Sequence, residues 1–317
     1  MNKQKYSSSD VIFLLGAGAS VDAGMPTVKE LTHCIREQLL YMKDINGNQT
    51  DAFSTIFTAI ADVDQEAGNN YEIFFDYIRL ITTVTKTPRN KLFDVNLSGE
   101  QLEKVWHLPY IIGNLVKDIL NKYQRSSAPD YLSRIADLIP EQGQLKVFTL
   151  NYDLCMENAC RMKGIFLTTG FDDTWQPGLF NIPQNGISLY KLHGSLRWFT
   201  DEQWNILELA EIPKDKTPEL VLGPGSKIQA DDPFLTLFYE FSRATQKAKA
   251  CIVIGYGYQD THINTVLERS KIKNIIDVNV KHADILNKIN KKPILITGAA
   301  KDVLEKGEIK KKLEETL

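Results

Sequence analysis

The sequence lacks the features that mark several classes of protein. Its 317 residues contain no apolar run near the roughly 20 residues that span a bilayer, and its first strand is too short to be a signal-peptide core. The formal net charge is only −3, so the chain has no general attraction for nucleic acid. It contains neither a nucleoside-triphosphatase P-loop nor a nuclease motif. We therefore expect a cytoplasmic protein that binds neither membrane nor nucleic acid directly.

Cysteine is also scarce, and its spacing forms no pairs. The four cysteines are Cys34, Cys155, Cys160 and Cys251. None belongs to a Cys-x-x-Cys pair of the kind that holds structural zinc. Scattered cysteines in apolar surroundings suit buried thiols in a reducing compartment. We expect no metal site.

Apolar runs and helical periodicities alternate along the chain, and 43% of the residues are hydrophobic, which is enough for one sizeable core. After a first strand that begins at Val11, strands are predicted at residues 145–150, 165–168, 188–192, 220–222, 250–254, 274–279 and 293–296. Strands that alternate with helices over short links indicate right-handed crossovers and a parallel sheet. We predict an α/β fold with a Rossmann-like, doubly wound, mostly parallel sheet.

One long segment departs from this alternation. Between about residues 51 and 137 the apolar positions follow helical spacing with little strand-like alternation. We therefore predict a Rossmann domain over residues 1–45 and 140–317, interrupted by a mainly helical insertion over residues 46–139. A single helix over residues 299–317 is expected to close the chain.

A glycine turn follows the first strand directly, in the stretch Gly16-Ala-Gly-Ala-Ser20. Gly16 and Gly18 lack a Cβ where a backbone must turn sharply and approach a pyrophosphate, and the next helix would offer free N–H groups to that anion. The strict dinucleotide fingerprint has a third glycine where this chain has Val21. Nucleotide binding is thus the first hypothesis, and a tight turn without a ligand is the alternative.

Three further strand ends carry polar residues. Asn151 and Asp153 follow one strand, His193 ends another, and Gly255 opens a second glycine turn in which Asp260 is a candidate helix N-cap. Read singly, such residues are often only caps, turns or core histidines. Together they are typical of a ligand site, because ligands bind at the carboxyl ends of parallel strands.

These residues resemble the sirtuin-like NAD-binding superfamily. The match rests on the first glycine turn with Ala-Gly-Met-Pro26, on Thr149-Leu-Asn-Tyr-Asp153, on Lys191-Leu-His-Gly-Ser195 and on Gly255-Tyr-Gly-Tyr-Gln-Asp-Thr-His-Ile-Asn264. They occur in the family's order between residue 11 and about residue 280. The segment between about residues 42 and 143 lies outside the resemblance.

The chain departs from the protein-deacylating branch of that superfamily in two places. Deacylases carry two Cys-x-x-Cys pairs after the catalytic histidine, whereas this chain has no cysteine between His193 and Cys251. The aromatic residue and the arginine of the deacylase loop are absent from the segment that follows Gly24. The remaining motifs resemble a zinc-free bacterial branch that hydrolyses NAD, often in antiphage defence.

The resemblance implies an NAD glycohydrolase that releases nicotinamide and ADP-ribose, with NAD as its substrate and no metal. His193 would be the general base, Asn151 would orient water or ribose, and Asp153 would hold the loop or orient a neighbour at the NAD site. The implied NAD contacts are Gly16, Ala17, Gly18 and Ser20 with the pyrophosphate, Gly255 and Tyr256 with the ribose or phosphates, and Asn279 with the adenosine.

Two other functions stay open on the sequence. One is an NAD-dependent protein deacylase of sirtuin type, and the other is a catalytically silent module that senses NAD or ADP-ribose or serves assembly. The resemblance also implies a homo-oligomer and a separate partner chain, such as a hexameric translocase-type ATPase or a short Argonaute.

Overall fold

The computed structural model describes residues 7, 9–41, 51–85, 99–141, 143–214, 216–223, 231–290 and 292–317. Its strands are β1 (Val11–Leu15), β2 (Gln144–Thr149), β3 (Leu167–Thr168), β4 (Phe171–Asp172), β5 (Thr174–Trp175), β6 (Gly186–Lys191), β7 (Trp198–Thr200), β8 (Ile206–Glu208), β9 (Ala250–Ile254), β10 (Asn274–Asn279) and β11 (Ile294–Thr297). Its α-helices are α1 (Gly18–Val21), α2 (Val28–Leu40), α3 (Asp51–Val63), α4 (Tyr71–Thr85), α5 (Gly99–Arg125), α6 (Cys155–Lys163), α7 (Phe234–Thr245), α8 (Thr261–Glu268), α9 (Leu286–Ile289), α10 (Ala300–Glu305) and α11 (Glu308–Thr316).

Seven strands form one sheet in the order β11-β10-β9-β1-β2-β6-β3, and every neighbouring pair is parallel. The predicted α/β, doubly wound sheet is therefore confirmed. The chain runs outward from β1 through β2 to β3 at the edge, steps back to β6 between β2 and β3, and then crosses to β9 on the other side of β1. Strand β1 thus stands at the topological switch point, where ligands bind in sheets of this kind.

The central strands are apolar along their whole length because helices cover both faces of the sheet. All five residues of β1 are buried, and so are those of β9. Alternate side chains of β1 enter opposite cores: Val11, Phe13 and Leu15 pack on one side, Ile12 and Leu14 on the other. A continuous apolar run, rather than an alternating one, is what a strand buried on both faces requires.

The described part of the segment between α2 and β2 contains helices joined by turns and irregular backbone, and no strand. Helices α3, α4 and α5 and a 3-10 helix over Asp130–Leu138 share the core on the first face of the sheet. The bounds of the predicted insertion, residues 46–139, stay a prediction, and its first residues, 46–50, lie outside the described residues. Among the described residues, no helix combines the length and the apolarity needed to cross a membrane.

Three features differ from the sequence-based expectations. A second, antiparallel sheet of order β4-β5-β8-β7 was not predicted, because strands of two or three residues are too short to show alternation. Residues 220–222 form no strand; Leu220 makes one isolated antiparallel bridge with Gly194. The single C-terminal helix is in fact two, because the chain turns at Gly307 with φ +67° between α10 and α11.

Candidate active site

Four loops meet at the carboxyl edge of the sheet, and each follows one of the adjacent strands β9, β1, β2 and β6. They enclose a cavity of about 320 Å³. Seven of the predicted site residues line it: Gly16, Ala17, Asn151, Asp153, His193, Gly255 and Tyr256. The parallel sheet thus brings residues as distant in the sequence as Gly16 and Tyr256 together in one concave site.

The two glycine turns pack directly against each other. The Gly18 amide donates to the Gly255 carbonyl at 2.9 Å, and a Cβ on Gly18 would lie only 2.7 Å from Gly255 Cα. Gly255 itself has φ +64°, and a Cβ there would lie 2.1 Å from the Ala19 amide nitrogen. These glycines are therefore required for the contact between the two loops.

Asn151 ties the loop after β2 to the first glycine turn. Its side-chain amide donates to the Gly16 carbonyl at 3.0 Å and to the Ser20 hydroxyl at 3.1 Å. Its own backbone N–H donates to Thr149 Oγ1 at 3.1 Å. The Asn151 side chain is thus held at the cavity wall by bonds from its nitrogen, and its oxygen retains the capacity to accept a hydrogen bond.

His193 is paired with a carboxylate. Its Nε2 lies 3.0 Å from Asp260 Oδ2, and the two side chains are only 5% and 4% exposed. The other oxygen, Asp260 Oδ1, accepts the backbone N–H groups of His262 and Ile263 and caps α8. The predicted N-cap role of Asp260 is therefore confirmed. Because the carboxylate is held by the helix start, it also fixes the position of the His193 imidazole. An ionised carboxylate only accepts hydrogen bonds, so this pairing favours a proton on Nε2 and leaves the basic lone pair on Nδ1.

The Asp260–His193 pair is the main site feature that sequence reasoning missed. The two residues are 67 positions apart, and no local spacing links them. The one signal available was that each follows the carboxyl end of a predicted parallel strand.

Tyr256 contacts the Asp260 member of this pair through its hydroxyl group. Its hydroxyl accepts the Asp260 N–H at 3.2 Å and lies 3.0 Å from Asn264 Oδ1. Burial raises the pKa of the Tyr256 phenol far above its ordinary value, and the nearby Asp260 carboxylate raises it further. Tyr256 is thus a neutral donor whose hydroxyl points toward α8, while the residue still borders the cavity.

A buried ion pair lies next to the Asn151 loop. Lys191 Nζ donates to the Asp153 carbonyl at 2.6 Å and to Glu157 Oε1 at 2.9 Å. The Lys191 side chain is 0% exposed and that of Glu157 11%. Burial raises the pKa of the Glu157 carboxyl, and the adjacent Lys191 ammonium opposes that rise. The Asp153 side chain accepts the Cys155 N–H at 2.9 Å and so fixes the start of α6.

Three predicted contact residues do not line the cavity. Gly18 packs against Gly255, Ser20 accepts a hydrogen bond from Asn151, and Asn279 donates through Nδ2 to the Tyr256 carbonyl at 3.0 Å. Each therefore touches a residue that does line the cavity.

The helical segment contributes residues that no sequence motif indicated. The start of α4 and the turn before it place Glu66, Asn70, Tyr71, Glu72 and Ile73 in the cavity wall. Apolar residues cover much of the remaining wall: Met25, Pro26, Val28, Leu31, Leu120 and Leu150. Within the part of the chain that the structure describes, no three His, Cys, Asp or Glu side chains are grouped to bind a metal ion.

A doubly wound parallel sheet with polar loops around a cavity at its switch point defines a Rossmann-type nucleotide-binding fold. Residues 145–286 match the family model of the SIR2-like domain, so the chain is sirtuin-like over this segment.

Solved structures of Sir2 homologues share the fold, and two examples have bound ligands. A Sir2 homologue in complex with NAD aligns with a TM-score of 0.51 at 14% identity, over 96% of this chain and 90% of that chain. A mutant Sir2 homologue in complex with ADP-ribose aligns with a TM-score of 0.50 at 14% identity, over 97% and 94%. No curated protein matches the sequence.

Proposed function

We propose that the protein is an NAD glycohydrolase, which cleaves NAD to nicotinamide and ADP-ribose. The observation that carries the proposal is the presence of Asn151 and the buried His193–Asp260 pair in one cavity at the switch point of a sirtuin-like sheet. The Sir2 homologues with this fold that bind NAD and ADP-ribose support NAD as the ligand.

The dimensions of the cavity suit one half of the dinucleotide. Its volume of about 320 Å³ is near the lower end of the roughly 300–1,000 Å³ of small-molecule sites. We assign it to nicotinamide and its ribose. The pyrophosphate then lies against the turn from Gly16 to Ser20, which enters the cavity wall at Gly16 and leaves it at Gly18, and the adenosine lies toward Asn279, outside the cavity.

The chemistry that follows is a simple substitution at the ribose C1′. The bond from C1′ to the pyridinium nitrogen breaks, its electron pair leaves with nicotinamide, and an oxocarbenium-like centre forms. Water bonds to C1′ and loses a proton to Nδ1 of His193, which passes it to solvent. Asn151 orients the ribose or the water, and Asp260 stabilises the protonated imidazole.

The first experiment is incubation of the purified protein with NAD, alone and together with its genomic neighbours, and chromatography for nicotinamide and ADP-ribose. Both products are expected from the wild type when its partner is present, and neither from Asn151→Ala or His193→Ala under any of these conditions. Retained turnover in the His193 variant would contradict the assigned base. A parallel reaction that also contains an acylated lysine peptide distinguishes the hydrolase from the deacylase alternative. A deacylase would release nicotinamide only when the peptide is present.

We further propose that the enzyme depletes NAD in antiphage defence. An uncontrolled NADase would kill its host, so activity is expected to require self-association and a separate partner chain, such as a hexameric translocase-type ATPase or a short Argonaute. Light scattering and NAD assays with and without the genomic neighbours test this. Full activity of the monomer alone would contradict it.

A further inference from the structure

A second carboxylate–histidine pair lies at the carboxyl edge of the sheet, outside the cavity. His282 Nδ1 lies 2.5 Å from Asp277 Oδ2, and His282 Nε2 lies 2.9 Å from the hydroxyl oxygen of Thr297. None of these three residues lines the cavity that contains His193. The proposed hydrolysis of NAD gives no role to any of them.

The ends of two neighbouring strands bring the three side chains together. Asp277 lies within β10, Thr297 is the last residue of β11, and the parallel pairing of these strands places Asn279 opposite Thr297. His282 follows in the loop after β10, and its ring contacts both strands. Thr297 therefore stands at the edge at which parallel sheets of this kind bind their ligands.

The Asp277 carboxylate is fully buried and is bonded through both oxygens. Its Oδ1 accepts the Tyr258 hydroxyl at 2.9 Å and the Asn279 side-chain amide at 3.4 Å, whereas Oδ2 faces His282. Burial raises the pKa of the Tyr258 phenol, and the charge of Asp277 raises it further, so Tyr258 is a neutral donor. A carboxylate held in this way fixes the orientation of the imidazole.

The pairing with Asp277 decides which nitrogen of His282 carries the proton. An ionised carboxylate only accepts hydrogen bonds, so the Nδ1 N–H donates to Asp277 and the lone pair of Nε2 faces Thr297. The Thr297 hydroxyl then donates to Nε2. A hydroxyl that is bonded to a base, with the base oriented by a third group, is the arrangement that activates a nucleophile.

The exposure of the three side chains increases from the acid to the hydroxyl. The Asp277 side chain is 0% exposed and that of His282 is 16% exposed, whereas Thr297 is an exposed residue. A nucleophile must be accessible to its substrate, and the acid that orients the base must be shielded from water. The order of exposure therefore suits nucleophilic catalysis.

We propose that Thr297 and His282, oriented by Asp277, form a second catalytic site that hydrolyses small carboxylic esters. The Thr297 oxygen bonds to the ester carbonyl carbon and gives its proton to His282 Nε2. The bond from that carbon to the leaving oxygen breaks, and the leaving oxygen keeps the electron pair and takes the proton from His282. Water then attacks the acyl group in the same way, which releases the acid and restores the Thr297 hydroxyl.

The test uses p-nitrophenyl acetate as the probe, with the full chain. Absorbance measures the release of p-nitrophenolate, and mass spectrometry of peptides locates the acetyl group. We expect acetyl on Thr297 in the wild type, and release about 100-fold slower in Thr297→Val and in His282→Ala. Thr297→Ser keeps a hydroxyl and should retain the activity. Asp277→Asn should lower kcat about 100-fold with KM changed less than about threefold, because the imidazole loses the partner that orients it.

Thr174→Val is the matched control. Thr174 is also an exposed residue of a strand, but its hydroxyl accepts a hydrogen bond from the Gln176 side chain at 3.5 Å and is not bonded to a histidine. Its replacement should leave the release of p-nitrophenolate unchanged.

Three outcomes would overturn the proposal. The first is wild-type protein that is acetylated only on lysines. The second is release by Thr297→Val within about twofold of wild type, and the third is acetylation of Thr297 at the wild-type rate in His282→Ala. The first outcome is read from the wild type, so it is decisive even if a variant fails to fold. NAD turnover does not enter this test, so the ester site and the NAD glycohydrolase stand or fall separately.

Discussion

The buried Lys191–Glu157 pair allows a quantitative test of how the site is supported. Replacing Lys191 by Met removes the ammonium from a fully buried position beside a carboxylate that is 11% exposed. Glu157 Oε2 already lacks a hydrogen-bond partner, so the whole carboxylate becomes uncompensated. Breaking such a pair from one side costs about 3–5 kcal/mol, a large part of the roughly 5–15 kcal/mol by which native proteins are stable.

A second variant separates the charge from the packing. In the double variant Lys191→Met with Glu157→Leu, neither charge of this pair remains. The main loss of stability then comes from the Asp153 carbonyl, which has lost its hydrogen-bond donor, and amounts to about 1–3 kcal/mol. The double variant should therefore be about 2 kcal/mol more stable than the single one. As a control, Lys312→Met removes an exposed partner of Glu315, where solvent screens the charges, and should leave stability unchanged.

The stability of the Lys191→Met variant should change with pH in one definite direction. Burial raises the pKa of Glu157, and the loss of Lys191 removes the main opposing influence. The folded state then binds the proton more tightly than the unfolded state. Stability of Lys191→Met must therefore fall as pH rises from the unfolded pKa of about 4.3 through the raised folded pKa. The deficit relative to wild type should be smaller at acidic pH than at neutral pH.

Urea unfolding at acidic and neutral pH measures these differences. A loss below about 1 kcal/mol for Lys191→Met at neutral pH would refute the reasoning. So would a double variant that is no more stable than the single one. NAD turnover should fall in both variants, because each releases the Asp153 carbonyl that holds the Asn151 loop.

Two further predictions concern the site itself. Asp260→Asn keeps an oxygen that can cap α8 but removes the charge beside His193. We expect kcat to fall about 100-fold while the free energy of unfolding changes by less than about 0.5 kcal/mol. An unchanged kcat would contradict the positioning role of Asp260. Gly18→Ala places a Cβ 2.7 Å from Gly255 Cα and should cost about 1–3 kcal/mol and weaken NAD binding. Gly178→Ala, where a Cβ meets nothing within 4 Å, is its control; equal effects in urea unfolding and calorimetry would show that loop contact is not the cause.

The parallel sheet could be predicted because its signals are local. The runs Val11–Leu15 and Ala250–Ile254 are apolar at every position, and such runs, separated by helices, specify strands covered on both faces. Their polar strand ends then share one edge by topology alone. For this reason the residues around Asn151 and His193 were found without coordinates.

The contacts within the site could not be predicted in the same way. The glycines are predicted to make room for a pyrophosphate, and this stays a prediction; the close packing of Gly18 against Gly255 is a contact that no sequence pattern indicated. The bond from Asn279 to the Tyr256 carbonyl likewise joins positions 23 apart that no periodicity relates.

What the sequence alone determined was the class of fold and the edge of the sheet that bears the site, because strand periodicity and glycine turns depend on neighbouring residues. Tertiary structure decided which side chains meet there. It paired His193 with Asp260, buried Lys191 against Glu157, and brought Glu72 into the cavity from a helical segment without a recognisable motif. These contacts depend on the order of the strands and on how helices pack across them, and local sequence patterns carry no information about either.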